Sequence, residues 1–142
     1  MIAETPADGS SNPPVPELER RLAQQALIAE FGRFALKNDK LQAILDEACR
    51  LAADGLEVGF AKVLEPLPME NALLLRAGIG WRPGLVGHAR IGADLESPAG
   101  YAFKTGEPVI SNHLSEEKRF RTPKLMADHG VKRLSLIHIS EP

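Results

Sequence analysis

Cysteine is almost missing from this chain of 142 residues: Cys49 is the only one. A lone cysteine excludes an internal disulfide framework and any zinc site built on cysteine pairs, and it fits a reducing compartment. Charge of one sign is missing too. The formal net charge is -2, with charged residues at 25%, so no strong field draws in nucleic acid or an anionic membrane surface. No apolar run approaches the roughly 20 residues that cross a bilayer. The opening MIAETPADGSSNPPVPE has neither the basic start nor the apolar stretch of a secretion signal. The glycines lack a following Gly-Lys-Ser/Thr, and no dinucleotide fingerprint joins a strand to a helix, which argues against nucleotide-triphosphate chemistry. These absences set the expectation of a cytoplasmic domain with no nucleic-acid partner and no direct membrane contact.

What is present suffices for one core, with hydrophobic residues at 44% in a length suited to a single domain. Residues 1–16 are rich in Pro, Gly, Ser and Asn without periodicity and read as a disordered leader. From Glu17 to about Leu36, Leu18, Leu22, Ala26, Ala29 and Ala35 recur at helical spacing, and Pro16 suits a helix entry. Leu27, Ile28, Phe31 and Phe34 widen the apolar surface, predicting contact with both a sheet and another helix, or with a partner chain. Asp39 and Gln42 have capping-box spacing, so a second helix is expected from about Lys40 to Asp54-Gly55, where glycine would take the left-handed cap. Phe60 to Leu64 and Ala72 to Ala77, joined by a Pro- and Asn-containing turn, read as a β-hairpin.

Five glycines, Gly78, Gly80, Gly84, Gly87 and Gly92, follow within fifteen residues. That density lets backbone reach positive φ or approach something bound, and it equally serves a long irregular loop. Ser97-Pro98 is a cap followed by proline at the first helical position, and Thr105-Gly106 is a stop. Pro108 to Ser111 reads as a strand. Thr122-Pro123 repeats the cap device before a helix from Lys124 to Asp128 that ends at Gly130.

The order of these elements over Leu73 to Phe120, LLLRAGIGWRPGLVGHARIGADLESPAGYAFKTGEPVISNHLSEEKRF, closely resembles a GAF domain, and the resemblance extends over roughly Gln24 to Arg133. It implies an α+β, PAS-like fold, a central antiparallel sheet with helices packed on its faces. The variant resembles the N-terminal sensory domains of bacterial histidine kinases, including hybrid ones. The resemblance implies a small-molecule-sensing regulatory domain in a two-component signalling protein, homodimeric in its parent. The alternative is a ligand-free dimerisation or interaction module of a signalling or transcriptional regulator. Neither the Cys-His pair of bilin-binding members nor the Asn-Lys-Phe-Asp-Glu signature of cyclic-nucleotide-binding members is present, and the methionine-sulfoxide reductases of the family need several cysteines. The domain is therefore expected not to be an enzyme, with no cofactor assigned.

The residues proposed to line a ligand site are Gly80, Trp81, Arg82, Gly84, Gly87, Tyr101, Arg119 and Phe120. Trp81 could stack on a planar ligand or close the loop over the core. Arg82, Arg90 and Arg119 could hold an anion or pair with nearby carboxylates. His88 and His113 lack a close second ligand, so no metal site is expected. His129 reads as a cation at a helix end, and Cys49 as a small buried hydrophobe. Leu134 to Pro142, LSLIHISEP, resembles a translated sequencing-library adapter. The domain is accordingly assigned to residues 17–133, with 134–142 as a non-native tail and the last strands and closing helix of the family missing. An open sheet edge would then favour aggregation. The tail alternates, so it could also occupy a strand position.

Overall fold

A computed structural model of the chain describes residues 2–3 and 14–139, with side chains from Pro16 to Ile139. Two helices, α1 (Pro14–Lys37) and α2 (Leu41–Leu56), precede the long strands of the sheet. The helix starts at Pro14 rather than Glu17. Ile2–Ala3, within the segment read as a leader, form a short strand, β1; residues 4–13 of that leader lie outside the described residues.

The capping box expected from Asp39 and Gln42 does not form. Lys40 is the N-cap of α2 and no side chain caps it, because Gln42 instead donates to Asp46 Oδ1 at 2.9 Å and to the Arg76 carbonyl at 3.1 Å. Gly55 is likewise not the C-cap. The helix continues to Leu56, and Glu57 takes the left-handed conformation with φ 55°. Gly55 serves packing instead: Leu27 Cδ1 would lie 3.1 Å from a Cβ there, and its carbonyl accepts from Gln24 Nε2 at 2.8 Å. The main neighbour of α1 is α2, not the sheet and a helix together as its broad apolar surface suggests. Leu18, Leu22, Ile28 and Leu36 remain exposed on α1.

The expected hairpin is present as β2 (Ala61–Leu67) and β3 (Ala72–Ile79), joined by a 3-10 turn at Pro68–Glu70 and Asn71 at φ 49°. One irregularity in it organises the domain. Val63 pairs with Ala77 but Leu64 pairs with Leu75, so Arg76 has no partner and β3 carries one extra residue, a bulge. Side chains alternate across a strand, and an extra residue reverses that alternation. Ala77, opposite Val63, therefore joins Ala61, Cys49 and Ala53 in the cluster under α2. Leu73 belongs to the main core on the other face.

That second face is covered by α3 (Pro98–Thr105) and α4 (Lys124–Asp128), with short strands β4 (Arg90–Gly92), β5 (Val109–Ser111) and β6 (Leu134–Leu136) completing the sheet. The Ser97 hydroxyl accepts from Gly100 N, Pro98 opens α3, and Gly106 closes it at φ 74°, as the sequence predicts. Thr122 does not cap α4. Pro123 occupies the N-cap, and the Thr122 hydroxyl donates to the Leu114 carbonyl at 3.1 Å, tying the approach to α4 onto the preceding turn.

The sheet order is β4-β3-β2-β1-β6-β5, antiparallel throughout. Leu134 and Leu136, in the segment that resembles an adapter, are buried in the main core. Ile2 pairs with both Lys62 and Leu136, so two residues of β1 bridge β2 to β6 across the middle of the sheet.

Candidate functional site

The glycine-rich stretch after β3 folds back onto the sheet. Gly80 sits at φ 90°, where an added Cβ would run into the Gly59 carbonyl and Phe60, so this position needs glycine for both conformation and space. Gly84 and Gly87 also have positive φ but face open space; their requirement is conformational only.

Trp81 closes the loop over the core. Its indole N–H donates to the Ala61 carbonyl at 2.9 Å, and its ring lies 5.0 Å from Phe60 and 5.0 Å from His129, edge-on to the latter. Arg82 ties the loop to α4: its backbone N–H donates to His129 Nε2 at 3.0 Å, and its guanidinium donates to the Asp128 carbonyl at 2.9 Å. Because Nε2 accepts, His129 carries its hydrogen on Nδ1 and donates it to the Leu125 carbonyl at 2.8 Å. His129 is thus a neutral latch between loop and helix, not the helix-end cation expected from its position.

Tyr101 and Phe120 meet elsewhere on the same core, edge to face at 5.3 Å. Arg119 stands over the Phe120 ring at 5.1 Å and donates to Glu117 and to the Ile110 carbonyl. Its hydrogen bonds hold the Glu117 carboxyl down at about 2. Arg90 pairs with Glu70 at 2.6 Å. The predicted residues therefore form two groups, Gly80-Trp81-Arg82 against α4 and Tyr101-Phe120-Arg119 beside β5. Gly84 and Gly87 lie on the outer loop. Among the described residues no cluster of His, Cys, Asp or Glu could hold a metal ion, and Cys49 is fully buried with its thiol pushed up to about 11 by burial.

The residue that sequence reasoning missed is Lys62 of β2. It is 1% exposed, and burial pulls its ammonium down from 10.5 to about 7. Its Nζ lies 4.0 Å from Met126 Sδ and 5.3 Å from the Trp81 ring centroid. Among the described residues it has no ion-pair partner. Its place as a charge inside the apolar run Phe60-Ala61-Lys62-Val63-Leu64 was the available signal.

Two recesses of about 320 Å³ each open nearby. One lies beside α3, walled by Leu64, Leu73, Ala99, Ala102 and Phe103 and by the segment from Leu136 to Ile139. The other is an apolar groove between α1 and α2, walled by Leu27, Ile28, Phe31, Ala48 and Leu51 among others. Neither is lined by the eight residues predicted for the site.

A sheet with α2 on one face and α3 and α4 on the other, joined through a glycine-punctuated loop, is the α+β arrangement of the GAF fold. Solved GAF domains superpose on it. That of the Acinetobacter phosphoenolpyruvate-protein phosphotransferase aligns with a TM-score of 0.59 at 22% identity, over 78% of this chain and 63% of that one. The chain thus spans less than two-thirds of that domain. The GAF domain of the Coxiella burnetii phosphoenolpyruvate-protein phosphotransferase (ptsP) aligns at 0.66 and 12% identity, over 80% and 74% of the two chains. The A. aeolicus nlh2 GAF domain, in an inactive state, aligns at 0.62 and 13%, over 86% and 83%. No protein-family model matches the sequence, and no curated protein does.

Proposed function

We propose that this chain is a non-catalytic regulatory domain of a bacterial signal-transduction protein, a cytoplasmic sensor whose α3/α4 face takes a small ligand. The observation that carries this reading is the division of labour along β2. Lys62 packs against Met126 of α4, while its neighbour Ala61 is buried with Cys49 and Ala53 of α2. A shift of β2 caused on one face is felt one residue away on the other, where the helices lie. Regulation then follows from differential affinity of the ligand for two arrangements of β2 and α2. A sensor histidine kinase is the proposed parent. The downstream gene sequence tests that, and absence of a phosphorylatable-histidine helix and an ATP-binding domain would dismiss it.

The sensor reading is tested by thermal melting against a small-molecule panel. Ligand at a hundred times its Kd should stabilise by about 2.7 kcal/mol, and Trp81→Ala should remove the shift. A panel without any saturable shift counts against sensing. The second reading, a dimerisation module with an unused interior, is favoured by Leu18, Leu22, Ile28 and Leu36 exposed along α1. It expects a homodimer that Leu22→Glu dissociates, with no ligand response.

A further inference from the structure

We propose that Lys62 is the anchor for a small carboxylate ligand with an apolar body, which binds on the α4 side of β2 with one oxygen in the place now taken by the Met126 thioether. This rests on the sensor reading and assigns its ligand class. The ammonium is enclosed by groups that cannot neutralise it: a thioether sulfur at 4.0 Å, a weak acceptor, and the face of an indole at 5.3 Å. A lone buried cation that serves only packing is costly, and a hydrophobic side chain would serve better.

The surrounding charges restrict the ligand further. On the loop, Arg82 is exposed and donates to the Asp128 carbonyl. On α4, Lys124 and Asp128 are exposed, and the two nitrogens of His129 are engaged by Arg82 N–H and the Leu125 carbonyl. Opposite on β3 stands Gly78, which presents no side chain. Among the described residues Lys62 is the one buried positive charge, which suits a monoanion better than a phosphate dianion. Trp81 and Met126 touch the ammonium and Phe60 packs on Trp81, so the surface next to a bound carboxylate would be apolar. Methionine is the side chain best able to move aside, having three rotatable bonds and a soft sulfur.

Binding of a carboxylate requires the ammonium form, and Lys62 titrates at about 7 without ligand. Affinity should then fall about tenfold for each pH unit above 7.5 up to about 9.5. Trp81 is the only tryptophan, and its ring lies over the ammonium, so its emission reports occupancy directly.

The full chain is titrated at pH 6.5 with acetate, butyrate and benzoate, with the corresponding amides, and with inorganic phosphate. The expected result is a saturable change in Trp81 emission with at least one carboxylate, at least tenfold weaker with its amide, declining with pH as above and lost in Lys62→Met. Equal binding of carboxylate and amide, undiminished binding in Lys62→Met, or preference for phosphate overturns the assignment. Should the variant fail to give a cooperative melt, the amide comparison and the pH profile on the unaltered chain decide the matter. No response to any carboxylate, together with a hit from the melting panel, removes this proposal and leaves sensing standing; no response in either removes both.

Discussion

Lys62→Met should stabilise the protein, and by an amount that depends on pH in a defined direction. The buried ammonium titrates at about 7 against an ordinary 10.5, so between those values the unfolded chain holds a proton that the folded chain has released. Stability of the unaltered protein therefore rises with pH across that window, and the penalty is greatest below 7, where the cation is buried charged. With 1.36 kcal/mol per pH unit, the penalty is about 5 kcal/mol at pH 6 and shrinks to between about 1 and 2 kcal/mol at pH 9.5. Methionine fills a similar volume without charge, so the variant lacks this dependence. At about 3 °C per kcal/mol for a domain of this size, the variant should melt about 10–15 °C higher at pH 6 and about 4 °C higher at pH 9.5. Thermal melts followed by circular dichroism at half-unit steps of pH measure both curves. Parallel curves, or a variant less stable than the parent at pH 6, would refute the burial of an unpaired cation.

Further outcomes follow from individual sites. Gly80→Ala should cost about 2–4 kcal/mol in urea unfolding, since it combines positive φ with a collision at Gly59, whereas Gly84→Ala, open to solvent, should cost only about 1 kcal/mol for its backbone conformation. Ser97→Ala removes the hydroxyl that accepts from Gly100 N and should cost about 1 kcal/mol; an unchanged midpoint would mean the cap contributes nothing. Cys49 should resist a thiol reagent such as DTNB at pH 8 in the folded chain and react stoichiometrically in denaturant, because the sulfur is fully buried and titrates at about 11. Rapid labelling of folded protein would contradict the packing of α2 on β2.

What could be read from the sequence was local. Ser97-Pro98 and Gly106 delimit α3 because each device acts on its own backbone, and the hairpin over Ala61–Ile79 follows from two apolar runs about a turn. Devices that depend on a distant partner could not be read. Gln42 leaves its expected cap because the Arg76 carbonyl is within reach, and Gly55 is taken up by Leu27 from another helix. The site divides the same way. Trp81 and Gly80 are visible as a lone indole among glycines, and the structure gives Trp81 to the core through the Ala61 carbonyl. Lys62 could be noticed only as a charge inside an apolar run; its burial could not be read, because it depends on contacts such as Met126, sixty-four residues further along.

The unpaired Arg76 makes β3 two short ribbons in opposite phase rather than one strand. Removing this residue would leave a hairpin of nearly the same length and composition, yet one half would turn its inward side chains outward. Either Ala77 would leave Cys49, or Leu73 would leave the main core. Length at this point is thus an instruction about sidedness, and a one-residue deletion here should be far more damaging than any single substitution at the same place.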